Sequence, residues 1–107
     1  MSEWIATVAV NALAEGEHIL VDVDGTDVAL FNLQGEFVAV EDVCSHDGGE
    51  LASGQVDGDE IICPRHGARF CLKTGQVKSA PAYEDIACFP VKIQDGVLFI
   101  RDARWDV

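Results

Sequence analysis

Two short segments of this 107-residue chain carry the side chains best suited to chemistry, Cys44-Ser45-His46 and Cys63-Pro64-Arg65-His66, with sixteen residues between them. Each supplies one thiol and one imidazole, separated by one residue in the first segment and by two in the second. Two soft sulfur donors and two borderline nitrogen donors suit either a structural zinc ion or a [2Fe–2S] core in which two histidines replace two cysteines on one iron. Zinc fingers usually pair like with like, cysteines on one knuckle and histidines on another. Here both segments mix the types, which suits a two-iron core held jointly by two loops. The mixed cluster is therefore the favoured reading and zinc its rival. An accidental origin would need two of only three histidines and two of only four cysteines to fall into matching motifs.

The residues around the motifs agree. The first continues Asp47-Gly48-Gly49-Glu50-Leu51, and the second runs on through Gly67-Ala68-Arg69-Phe70. Glycines allow positive φ and close backbone approach, so amide N–H groups can aim at sulfur. Such donors favour the reduced state and tune a potential. Pro64 lacks a donor and stiffens the second loop.

From Val43 to Phe70 these motifs resemble the Rieske iron–sulfur family, in particular the soluble ferredoxin components of bacterial multicomponent aromatic-ring dioxygenases. The resemblance implies one [2Fe–2S] cluster per chain. Cys44 and Cys63 would hold an inner ferric iron, and His46 and His66 an outer iron that takes the electron. Rieske subunits of respiratory quinol-oxidising complexes carry a disulfide between two further cysteines, at places held here by Gly49 and Arg65. That branch also has hydroxyl donors where this chain has Ala68 and Phe70. Fewer donors imply a low potential, near roughly −150 mV rather than +300 mV.

The elements that must present these loops read as all-β. Trp4 to Val10 is a first strand, and His18 to Asp22 with Val28 to Phe31 form a hairpin about Asp24-Gly25. Gln34-Gly35 leads into Phe37 to Val40, and Asp57-Gly58 turns into Glu60 to Cys63, which delivers the second motif from a strand end. Arg69 to Leu72 and Gln76 to Lys78 flank another turn, and Pro81 breaks the chain. Ala87 to Ile93 and Val97 to Ile100 close the fold around Asp95-Gly96. Short strands with glycine turns suggest an antiparallel sandwich or small barrel. The resemblance sharpens this to a single Rieske domain over 1–107. It has a base of 1–41 and 83–107 and an inserted cluster-binding subdomain of about 42–82. Nothing in Trp105-Asp106-Val107 assigns the C-terminal end.

Composition narrows the function classes. Residues 1–60 hold 14 acidic and no basic residues, all seven Lys and Arg lie from Arg65 onward, and the net charge is −12. Such a chain is repelled by nucleic acid and anionic membranes. Its charge is either a plain solvated surface or a means of steering toward basic patches on redox partners. The N-terminus has no export signal and no stretch reaches the roughly 20 apolar residues of a membrane span, so a cytoplasmic location is expected. Cys71 and Cys88 are then expected as free thiols. His18 is the remaining histidine, at the start of an apolar run, where a surface or edge-strand position is expected.

With no further ligand set, an enzyme in its own right is not expected. The resemblance implies a monomeric carrier between a flavoprotein ferredoxin reductase and a terminal Rieske oxygenase. Its alternatives are a small subunit of a permanent complex such as assimilatory nitrite reductase, or a ferredoxin associated with iron–sulfur assembly.

Overall fold

Residues 3–104 are described by a computed structural model. Eleven strands follow in order: β1 (Ile5–Ala9), β2 (His18–Val23), β3 (Thr26–Leu33), β4 (Glu36–Glu41), β5 (Gln55–Asp57), β6 (Glu60–Ile62), β7 (Arg69–Cys71), β8 (Val77–Ser79), β9 (Cys88–Phe89), β10 (Val91–Gln94) and β11 (Val97–Ile100). One 3-10 turn, Val10–Ala12, follows β1. The strands form three antiparallel sheets, ordered β1-β11-β10, β2-β3-β4-β9 and β5-β6-β7-β8. Among the described residues no helix is long and apolar enough to cross a membrane.

Three hairpins rest on two-residue turns whose central residues both have positive φ: Asp24-Gly25, Gln34-Gly35 and Asp95-Gly96. That is the type I′ geometry whose twist matches the flanking strands. The β5–β6 turn differs from the sequence expectation. Asp57 pairs with Glu60, so the central residues are Gly58-Asp59, with positive φ at Gly58 alone.

The β2-β3-β4-β9 sheet is the middle layer, because β3 and β4 are buried on both faces. Val28 and Leu30 of β3, with Ala39 of β4, enter a core shared with Phe89, Leu98 and Ile100. The alternate residues Ala29, Phe31, Val38 and Val40 enter a second core that contains Cys44, Cys63, Ile61 and Phe70. Side chains alternate along a strand, so the unbroken apolar run Val28 to Phe31 is what a two-sided layer requires. The second core ties the two ligand motifs to the scaffold.

Two further expectations change. The single strand expected over Ala87 to Ile93 divides at Pro90. Cys88–Phe89 pairs with β4, and Val91–Gln94 pairs with β11 in a different sheet. Proline has no N–H for a ladder, so the chain changes sheet there. Strand β5 was not anticipated, because its three residues are all exposed and carry no alternation. His18 lies exposed on the edge strand β2, its ring 5.3 Å from that of Phe31, as expected. Cys71 and Cys88 are free. The Trp105 to Val107 end lies outside the described residues.

The end of β11 is tied back to the middle layer by a buried charge. Asp102, 6% exposed, accepts from Arg104 Nε at 3.0 Å and Nη2 at 2.8 Å, while Nη2 also donates to Thr26 Oγ1 at 2.8 Å. The guanidinium holds the Asp102 carboxyl below its ordinary range. A carboxyl depressed by folding stabilises above its unfolded value and loses that contribution as pH falls through the folded one. Asp102→Asn is expected to lower unfolding free energy at pH 7 by about 1–3 kcal/mol, measured in urea. The deficit should shrink as pH falls below about 4, and an equal deficit at both pH values would contradict this role.

Candidate metal centre

Both motifs leave a strand and turn back on themselves in the same way. The Cys44 N–H donates to the Gly49 carbonyl at 2.8 Å, and the Cys63 N–H to the Ala68 carbonyl at 2.7 Å. The Cys44 carbonyl accepts from Gly48 at 2.7 Å, and the Cys63 carbonyl from Gly67 at 3.1 Å. Each loop thus closes five residues after its cysteine. Each also carries a glycine at the fourth, with φ of 75° at Gly48 and 78° at Gly67. That region is costly for any residue with a Cβ. The unequal histidine spacing hides two loops with equivalent backbone bonding. A glycine four residues after each cysteine was the available sequence signal.

The donors separate by depth. Cys44 and Cys63 are 0% and 2% exposed, whereas the imidazoles of His46 and His66 face outward. The two rings lie 5.1 Å apart, nearly perpendicular at 89°. Burial pushes the Cys44 thiol up from its ordinary value, the N–H groups of His46 and Asp47 pull it down, and the adjacent Cys63 thiol adds to the rise. The Cys44 thiol, held against Cys63 in a dry core, resists ionisation. A dication that replaces the thiol protons removes that penalty, so this donor set fits a [2Fe–2S] core of 2+ charge. The N–H groups of His46 and Asp47 thus face the Cys44 sulfur.

Contacts that the motifs did not reveal hold the loops. Asp42 Oδ1 accepts from both Leu51 N and Ala52 N at 2.8 Å, which closes the far end of the first loop. Ser45 Oγ donates to the Glu84 carbonyl at 2.6 Å and so anchors the same loop to the segment before β9. Asp47 lies beside both imidazoles, with Oδ2 3.7 Å from His66 Nδ1 and Oδ1 accepting from Gly49 N at 2.9 Å. The Gly49 N–H is the main cause of the lowered Asp47 carboxyl, with Arg65 and the two imidazoles helping. Leu51 and Ala52 are 1% and 3% exposed. Asp42→Ala, which orphans two amides, is therefore expected to destabilise the loaded protein by about 2 kcal/mol or more. Chemical unfolding followed through the visible absorption would measure it, and a loss under about 0.5 kcal/mol would remove Asp42 from this role.

The Rieske [2Fe-2S] domain family matches residues 3–90. The chain is 37% identical over 93 residues to the ferredoxin component of the naphthalene 1,2-dioxygenase system of Pseudomonas putida, covering 87% of this chain and 89% of that one. It is 40% identical over 87 residues to the 3-phenylpropionate/cinnamic acid dioxygenase ferredoxin subunit of Escherichia coli K12, covering 80% and 81%. Its fold superposes with a TM-score of 0.86, at 30% identity and 92% coverage of both chains, on a chain from the complex of reduced oxygenase and oxidised ferredoxin in carbazole 1,9a-dioxygenase. The chain belongs to the Rieske [2Fe–2S] domain family and carries that family's single cluster. It is an electron-transfer protein of the dioxygenase-ferredoxin kind rather than an enzyme.

Proposed function

We propose that Cys44 and Cys63 bind the inner iron and His46 and His66 the outer iron of one [2Fe–2S] cluster. The chain would then serve as a low-potential one-electron carrier from an NAD(P)H-dependent flavoprotein reductase to a terminal Rieske oxygenase. The observation that carries this reading is the split in depth: two thiols sealed in the core beneath two imidazoles at the surface. When bound, the cluster accepts and releases one electron. The protein fixes both loops through Asp42, Ser45 and the paired backbone bonds. It excludes water from the thiolates and presents the imidazole edges to whatever docks there.

Residues 42–82 act as the cluster-binding subdomain, with 1–41 and 83–107 as its base. The three short hairpins of the β5–β8 sheet lie within that span, and the second core joins them to the middle layer. The potential is low because Ala68 and Phe70, each 0% exposed, bring no hydroxyl to the site. The chain works as a monomer in the cytoplasm, meeting its partners transiently. Its −12 charge favours basic docking patches and speeds encounter at low salt.

An anaerobic redox titration tests the carrier role. Uptake of one electron per chain with a midpoint near roughly −150 mV is expected. A midpoint well above zero, or uptake of two electrons, would contradict it.

A further inference from the structure

We propose that Arg65 is a positioning residue that clasps the two ligand loops together, and that position 49 is glycine because the Arg65 guanidinium occupies the place of its side chain. This rests on the ligand assignment above.

The chain has ten glycines, eight of them at positive φ; the exceptions are Gly49 and Gly54. At Gly54 the backbone forbids a side chain, since a Cβ would lie 2.0 Å from the Ile62 carbonyl oxygen. Gly49 has neither reason. The three atoms nearest to a Cβ there all belong to Arg65, at 2.7 Å for Cζ, 2.8 Å for Nε and 3.1 Å for Nη1. The guanidinium of the second loop is therefore seated on the bare backbone of the first. The same group reaches Asp47, with Nη1 3.6 Å from Oδ2. Asp47 in turn accepts from the Gly49 N–H, and its Oδ2 lies 3.7 Å from Nδ1 of His66. The circuit runs from Arg65 to Gly49 and Asp47 and back to His66, with each end adjacent to a ligand.

The ion pair alone does not account for a clasp. Arg65 is 57% exposed and Asp47 20%, and an exposed pair is worth little. The seat on Gly49 adds packing for the planar group and fixes where its charge lies, which a flexible lysine would not do. Arg65 is also the only Lys or Arg in either loop, beside the acidic Asp47 and Glu50.

An added Cβ at position 49 displaces the far end of a long side chain and leaves the loop backbone in place. Gly49→Ala is thus equivalent to losing the Arg65 contact. The experiment compares the loaded wild type with G49A, R65Q and the double variant, following iron release to a chelator and the midpoint potential. Each single variant is expected to release iron about fivefold faster, equivalent to about 1 kcal/mol at 1.36 kcal/mol per decade. The double variant should be no faster than R65Q. Both single variants should also show a lower midpoint, because positive charge has left the side of His66. Rates that multiply in the double variant, or an unchanged midpoint, would overturn the clasp. A wild type that lacks the mixed-ligand EPR signal would instead overturn the ligand assignment, and the clasp with it.

Discussion

Replacing His66 with Cys is expected to leave two irons and two sulfides per chain while abolishing the mixed-ligand EPR signature. The potential should fall by on the order of 250 mV, toward the roughly −400 mV of plant-type all-cysteine ferredoxins. The reason is charge. A neutral imidazole becomes a thiolate, the assembly gains a negative charge, and adding an electron to it costs more. His66 suits this test. Its side chain is 55% exposed, on a loop whose closing bond joins the Cys63 N–H to the Ala68 carbonyl, so the exchange buries nothing and breaks no backbone contact. The expected average g rises toward that of an all-cysteine cluster. If spectrum and potential both stayed at their wild-type values, His66 would not be a ligand.

The second large effect runs the other way. Ala68 and Phe70 are completely buried, and both pack in the core that holds Cys44 and Cys63. Ala68→Ser and Phe70→Tyr each place a hydroxyl there without changing the backbone. A donor that interacts more strongly with the reduced state by about 1.4 kcal/mol raises a one-electron potential by about 59 mV. The pair is therefore expected to raise the midpoint by on the order of 100 mV. Voltammetry reads the potential and urea unfolding the cost. A hydroxyl that finds no acceptor is a buried unsatisfied group, which destabilises by about 1–3 kcal/mol. Stability lost with no change in potential would mean that neither hydroxyl reaches the centre, and the account of the low potential would fail.

The parts of this fold that were legible in the sequence are those where local chemistry leaves one solution. Asp24-Gly25, Gln34-Gly35 and Asp95-Gly96 adopt a turn that needs positive φ twice, and each joins two strands at the expected place. The apolar runs of β3 and β4 marked strands but not their two-sided burial, which depends on a third sheet arriving from 55–79. Strand β5 is exposed throughout and is held by pairing with β6 alone, so no hydrophobic pattern announced it. Pro90 was visible, yet its consequence required knowing that two sheets flank it.

The site divides in the same manner. The spacing of the cysteines and histidines pointed to their convergence, and the structure does bring Cys44 beside Cys63 and His46 beside His66. Asp42 and Ser45 act through backbone groups 9, 10 and 39 residues away. Partners so remote leave no trace in local sequence. The seat of Arg65 on Gly49 falls between these cases. Both residues stood in the motifs, but only the folded loops bring them into contact.

Low-temperature EPR of the dithionite-reduced protein, with iron, sulfide and zinc analysis on the same sample, tests the central claim most directly. A rhombic signal with an average g below that of all-cysteine clusters, and two irons with two sulfides per chain, is the result expected of Cys44, His46, Cys63 and His66 holding one cluster. An EPR-silent sample with one zinc per chain, or a signal of the all-cysteine type, would contradict it.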